Sequence, residues 1–194
     1  MPGARPIALV VHGGFWKSQY GCDLMEPVCA DLRARGWTAC NIEYRRGEGW
    51  PAMRDDLLAA YDEAQPDVAI GHSAGGQLAV WLAAHRRLRA VVSQAGVLDL
   101  ERARELRLSN GIVERVFGAH VAEASPIELV IDAPVLCVHG ARDTDVPLEI
   151  SERFVAAQPT AELRVFADEG HFGHIEPGNA MWRCAADWLD GRAG

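Results

Sequence analysis

Asp67-Val68-Ala69-Ile70-Gly71-His72-Ser73-Ala74-Gly75-Gly76-Gln77-Leu78 carries the chain from one apolar run into another through a turn crowded with glycine. The run before Gly71 has the length and content of a short strand buried on both faces. The run after Gly76, at 77–84, is built of helix formers. Between them, Gly71 to Gly75 fits G-x-S-x-G. A strand that reverses at once into a helix holds the middle serine in strained backbone, with its hydroxyl pushed out at the top of the sheet. A Cβ on either flanking glycine would clash in so tight a turn. The helix that follows aims unpaired N–H groups and a partial positive charge at anything bonded to Ser73. The plain alternative is a structural turn holding a chance serine, and the strand and helix on either side argue against it.

The same rhythm runs the length of the chain. Pro6 to Val11 is a continuous apolar run that leads straight into His12-Gly13-Gly14-Phe15-Trp16. Further strands are predicted at 37–42, 67–70, 89–93, 134–138 and 162–166. Helices are predicted at 26–35, 50–63, 77–87, 148–158 and 180–189, with Pro27 and Pro51 in first turns and Gly36 at a C-terminal cap. The least regular stretch, 96–132, reads as short helices at 98–106 and 110–117 and a turn at Ser125-Pro126. Six strands alternating with helices imply a mostly parallel six-stranded sheet covered on both faces, a three-layer α/β/α sandwich forming a single domain over residues 1–194. Every polar loop of interest follows a strand. All of them therefore open on the carboxyl edge of the sheet, where ligands bind in open α/β sheets.

Composition narrows the class. A chain of 194 residues that is 49% hydrophobic can bury a sizeable core, and a net charge of −8 with both signs interleaved argues against a nucleic-acid surface. No apolar run is long enough to span a bilayer, and residues 1–6 hold no signal-peptide core, so a cytoplasmic protein without membrane contact is expected. The five cysteines are odd in number and irregular in spacing. Cys40 and Cys137 read as core residues, Cys22 and Cys29 as a pair that nothing requires to bridge, and reduced thiols as the default.

A serine hydroxyl is a poor nucleophile until a base takes its proton, and the base needs a third group to orient it. The loop after the sixth strand offers His171, placed just past the strand, with His174 as the fallback. The loop after the fifth strand offers two carboxylates, Asp143 and Asp145. Acyl chemistry also needs donors for a tetrahedral oxyanion. The expected donors are the backbone N–H of Ala74 and those of Gly13 and Gly14, with Phe15 next in line. His12 is expected to hold that loop by hydrogen bonds, and His72 to pack. Phe15, Trp16, Trp50 and Phe172 lie in loops on the active edge and are candidates for an apolar pocket wall, against core packing for each. Trp37, Trp81, Trp182 and Trp188 fall in strands or helices and read as core. No His-x-x-x-His or similar ligand spacing is present, so neither a metal nor another cofactor is expected.

These stretches together resemble the α/β-hydrolase family, and within it the branch of arylformamidases (kynurenine formamidases) and small carboxylesterases. The likeness rests on His12-Gly13-Gly14-Phe15-Trp16, Asn41-Ile42-Glu43-Tyr44-Arg45-Arg46, Gly71 to Gly76, His139-Gly140 with Asp143 and Val146-Pro147, and His171-Phe172 with Ile175-Glu176. It implies a triad of Ser73, Asp143 and His171, with Gly13, Gly14 and Ala74 around the oxyanion hole. It further implies a compact fold that begins at the family's third strand, with strand order 2-1-3-4-5-6 and no large lid. The implied substrate is a small ester. A formamide is the second choice, and a non-catalytic relative binding a small ligand at the same cleft the third. An uncovered edge strand near 37–42 makes a homodimer the expected protein partner, if there is one.

Overall fold

The computed structural model describes residues 5–192. Six strands form one sheet: β1 (Ile7–Val11), β2 (Thr38–Ile42), β3 (Val68–His72), β4 (Ala90–Gln94), β5 (Val135–Gly140) and β6 (Ala161–Phe166). Their order is β2-β1-β3-β4-β5-β6, and every pairing is parallel, as the alternation of strands and helices predicts. Two strands outrun their apolar content. His72 still pairs with Gln94, and Gly140 with Phe166, so β3 and β5 each carry polar residues two positions past the predicted end. Those extensions bring the functional loops to the sheet edge.

Side chains alternate across the sheet with the period of two that a strand imposes. Leu9, Val11, Ala69, Val135 and Cys137 join the core on one face; Ala8, Val10, Val68, Ile70, Leu136 and Val138 join the core on the other. The first face is covered by α2 (Trp50–Ala64), α3 (Ala74–His85) and α7 (Glu149–Ala157), and the second by α1 (Glu26–Ala34) and α8 (Ala180–Asp190). In α3 every residue from Ala74 to Ala83 is buried, so this helix is apolar on all sides and lies inside the protein. The five cysteines are all free thiols. Among the described residues no helix is long and apolar enough to cross a membrane.

The connection from β4 to β5 departs most from the sequence reading. It holds α4 (Leu100–Glu105), α5 (Leu108–Phe117) and α6 (Val121–Ala124), so there is no large lid. Asp99 starts α4 by accepting the Arg102 amide at 2.9 Å, a regular N-cap. The junction into α5 is irregular. Arg107, Ser109, Asn110 and Gly111 all have left-handed backbone, with φ of 52, 45, 60 and 71°. Glycine and asparagine take that conformation readily, whereas for arginine and serine it is strained.

Candidate active site

Ser73 sits between the last residue of β3 and the first of α3, with φ 56° and ψ −120°. Its amide donates to the Gln94 carbonyl at 2.8 Å, and its own carbonyl accepts from Gly76 at 2.9 Å, so the strained residue is held from both sides. The flanking glycines are sterically required. A Cβ on Gly71 would overlap the Gly75 carbonyl, and a Cβ on Gly75 would overlap the Val11 and His12 carbonyls of the neighbouring strand end. The result is a buried hydroxyl with no hydrogen-bond partner among the described residues. An unsatisfied buried hydroxyl is rare unless it has a task or an absent partner.

The loops after β5 and β6 are bound to each other. The Ala141 amide donates to Phe166 and the Arg142 amide to Glu169, both at 2.9 Å. This brings Asp143 against His171, and His171 Nδ1–H donates to Asp143 Oδ2 at 2.6 Å. The other carboxylate oxygen accepts the amides of Asp145 and Val146, each at 2.9 Å. His139 Nε2–H donates to the Val146 carbonyl at 2.9 Å and leans on Asp143 Oδ2 at 3.4 Å. Burial opposes charge on Asp143, but the hydrogen bonds from His139, His171 and the Val146 amide outweigh it and hold the carboxyl well below the usual range. Of the two candidate carboxylates it is Asp143 that is hydrogen-bonded to His171. Asp145 stays close, with an oxygen within 4.8 Å of ligand atoms of both Asp143 and His171, and it faces the cavity.

Two histidines have roles that sequence reading missed. His139 is fully buried and fixes the Asp143 loop, its Nδ1 accepting from the Ser151 hydroxyl at 2.8 Å. His72 was expected only to pack. It does pack, with its ring 4.6 Å from that of His171, and its Nε2–H also donates to the His171 carbonyl at 2.9 Å. The residue beside the serine thus ties down the loop that carries the imidazole. Burial and the nearby His171 push the His72 pKa down to about 3, so it is neutral there. His174, the fallback base, is fully buried behind His72, with both ring nitrogens unpartnered among the described residues. It does not line the cavity.

The Gly-rich loop after β1 lies directly on Ser73. A Cβ on Gly13 would come within 3.0 Å of the Ser73 Cβ. Gly14 has φ +107°, and a Cβ there would run into the Tyr20 ring. His12 holds this loop, as expected. Its Nδ1–H donates to the Gly13 carbonyl at 2.7 Å, and the Tyr44 hydroxyl donates to the His12 carbonyl at 3.0 Å with the two rings stacked. Burial, with Arg46 alongside, pushes the His12 pKa down, while the Gly13 carbonyl at Nδ1 and the Glu43 carboxylate 2.8 Å from Nε2 pull the other way. Among the described residues the amides of Gly13, Gly14 and Ala74 have no hydrogen-bond acceptor. Three donors are thus left free, two on the loop that lies against Ser73 and one on the residue that follows it.

Ser73 and His171 open into a cavity of about 460 Å³, within the range of small-molecule sites. Phe15 and Phe172 line it, as expected, and Phe172 is 59% exposed. Trp16 and Trp50 do not, and for them the pocket reading is corrected: both are core aromatics. Trp16 packs edge-on against Phe117 and donates to Gln77, and Trp50 packs against Trp81 and Phe117 and donates to Glu123. Each ring fills the core beneath α3, and each indole N–H still finds an acceptor, as a buried tryptophan requires. Further wall comes from Lys17 and Tyr20 on the β1 loop, from Thr144 and Asp145 on the β5 loop, and from 106–110, the strained junction into α5.

Comparison with known proteins agrees with this architecture. The chain is 28% identical over 190 residues to the esterase LipC of Mycobacterium tuberculosis, a match that covers 77% of this chain but only about half, 47%, of that protein's length. Among solved structures, the acetyl ester-xyloside bifunctional hydrolase of Caldicellulosiruptor lactoaceticus superposes with a TM-score of 0.80 at 22% identity, covering 98% of this chain and 83% of the other. Esterase 2 of Thermogutta terrifontis, with propionate bound, gives 0.76 at 23% identity over 96% and 82%. At such identities these structures speak for the fold, which is that of the α/β-hydrolases. The model of the prolyl oligopeptidase family matches residues 61–190, from within α2 to the end of α8 and through the whole of the Ser73, Asp143 and His171 region, and the chain belongs to that family.

Proposed function

We propose that the protein is a serine hydrolase that cleaves small carboxylic esters through an acyl-enzyme intermediate. The observation that carries this reading is the Asp143–His171 hydrogen bond at 2.6 Å, beside a serine held at φ 56° on the wall of the same cavity. Ser73 Oγ attacks the ester carbonyl while His171 Nε2 takes its proton. Asp143 keeps the imidazole proton on Nδ1 and stabilises the imidazolium. The free amides of Gly13, Gly14 and Ala74 take up the oxyanion, and the N-terminus of α3 adds its partial positive charge. His171 then protonates the leaving alcohol. Water, activated by the same imidazole, releases the acid and restores the serine. In the absence of substrate the Ser73 hydroxyl is not bonded to His171, a looseness that is usual before a substrate closes the site.

An N-formyl arylamine is the second reading. Phe15, Tyr20 and Phe172 on the cavity wall are suited to an aryl leaving group, and the arylformamidase-like motifs point the same way. The chemistry is unchanged; only the leaving group differs. Rates on a short-chain p-nitrophenyl ester and on an N-formyl arylamine, measured side by side in the wild type and in Ser73→Ala, separate the two. Ester turnover that disappears with Ser73 supports the first reading. Preferential, Ser73-dependent turnover of the formamide supports the second. Turnover that survives in Ser73→Ala would overturn both.

A further inference from the structure

Lys17 is the only lysine among the 194 residues; the other side chains with a permanent positive charge are all arginine. It lies on the cavity wall, on the loop that also carries Gly13 and Gly14. Its ammonium donates to the Ser109 hydroxyl at 2.7 Å and lies 5.9 Å from the centre of the Phe15 ring. Neither contact neutralises it, and among the described residues no carboxylate lies within ion-pair distance. An ammonium has three donors, so two remain for a ligand. Arg107 lines the same cavity, exposed and likewise without a carboxylate partner among the described residues. Acids on α4 and at the start of α7 are engaged elsewhere: Arg102 holds Glu105 and Glu149, and Arg104 holds Glu101.

The backbone that presents these groups is strained. Arg107 and Ser109 hold left-handed φ of 52° and 45° on the cavity wall, in a chain where glycine or asparagine would hold it at lower cost. Among the described residues the cavity's one acid besides the triad is Asp145, and it sits at the His171 end. A protein of net charge −8 thus keeps two uncompensated cations on one wall of its reaction cavity and a carboxylate beside the base. That polarity favours a ligand with an anionic group directed at Lys17 and Arg107 and away from Asp145.

We propose that the substrate is a small ester bearing a carboxylate, and that Lys17 and Arg107 hold this carboxylate against the 106–110 wall. The proposal rests on the serine hydrolase reading for the reaction, and on Lys17 and Arg107 alone for recognition. Lys17 exchanges or shares its bond to Ser109 when the carboxylate arrives. Arg107 supplies the planar fork that a carboxylate accepts in two parallel bonds.

Two measurements test it. In the first, kcat/KM is compared for 4-acetoxybenzoate and neutral 4-acetoxybenzamide, which carry the charge on the leaving group. It is also compared for monophenyl adipate and its amide, which carry the charge on the acyl group. The wild type is expected to prefer the anion of at least one pair by about tenfold, as one charge-assisted contact provides. Lys17→Met should abolish the preference, Lys17→Arg should keep it, and Ser109→Ala, which removes the latch but not the charge, should keep it too. Raising the salt concentration should shrink it. No anionic preference in either pair would overturn the proposal, as would a preference untouched by Lys17→Met and Arg107→Met.

The second measurement does not need turnover. Biosynthetic [13C]lysine labels one residue in this chain, so a single Cε–Hε signal reports on Lys17. Titration with 4-hydroxybenzoate should shift that signal saturably, and 4-hydroxybenzamide should not. Equal behaviour of the two would overturn the carboxylate site. A saturable, charge-dependent shift in a protein that hydrolyses no ester would keep the site and remove the serine hydrolase reading instead.

Discussion

Asp143→Asn keeps the shape of the side chain and turns one oxygen into an amide nitrogen, and the structure dictates where that nitrogen goes. Oδ1 accepts the amides of Asp145 and Val146 at 2.9 Å, and only an oxygen serves between two donors. The new NH2 group therefore faces His171 Nδ1 and His139 Nε2. His139 has no lone pair to offer at that atom, because its Nε2–H donates to the Val146 carbonyl at 2.9 Å. His171 must accept instead, which moves its proton to Nε2, the atom that has to take the proton of Ser73. The wrong tautomer and the loss of negative charge beside the developing imidazolium together should lower kcat by about 10⁴, or ~5 kcal/mol of barrier. The assay is p-nitrophenyl acetate hydrolysis, with near-ultraviolet circular dichroism to establish that the variant is folded. Asp145→Asn is the paired control and should lose less than about tenfold, since its carboxylate is not bonded to the imidazole. A folded Asp143→Asn enzyme within threefold of wild type, or the larger loss in Asp145→Asn, would refute the assignment of Asp143.

Three further outcomes are expected. Gly14→Ala places a side chain at φ +107° and against the Tyr20 ring, so it should lower both the melting temperature and kcat, by about 1–3 kcal/mol in each free energy; an unperturbed variant would show that the loop is not where it is placed. Trp50→Ala removes a core ring and should cost about 3–5 kcal/mol in urea unfolding, with KM little changed, whereas a pocket residue would show the reverse pattern. Stability should fall as the pH drops from 6.5 toward 4: His72, with its folded pKa at about 3, is held below its unfolded value of 6.5. In that window the unfolded chain binds the extra proton, and this histidine contributes a slope of up to ~1.4 kcal/mol per pH unit. Asp143, held low in the folded protein, adds to the loss only below about pH 4. A urea midpoint that is flat from pH 6.5 to 4 would contradict the buried, neutral state of His72.

Much of this was legible in the sequence because the features are local or set by rhythm. Continuous apolar runs and intervening helices give the six strands, and their observed order is the one the family resemblance implies. A glycine-flanked serine between such a strand and such a helix has few other uses. Asp143 was named from resemblance; the two amides and two imidazoles that single it out over Asp145 belong to tertiary structure. Trp16 and Trp50 illustrate the opposite case. An aromatic next to a glycine loop can turn outward to the cavity or inward to the core, and what decides it is α3, apolar on every side and in need of covering. The 106–110 wall was hidden for another reason. Leu106-Arg107-Leu108-Ser109 has the composition of a helix, and nothing in those residue types announces left-handed backbone. The hydrogen-bonding roles of His139 and His72 are not legible in the sequence because they are contacts between segments that only the fold brings together.

The central claim is that Ser73 is a nucleophile activated by His171. The most direct test is to incubate the protein with a small neutral fluorophosphonate and locate the adduct by intact mass and peptide mapping. One adduct per chain, on Ser73, lost in Ser73→Ala and formed at least 10²-fold more slowly in His171→Ala, is the predicted result. No adduct, an adduct on another residue, or labelling of Ser73 that is indifferent to His171 would contradict it.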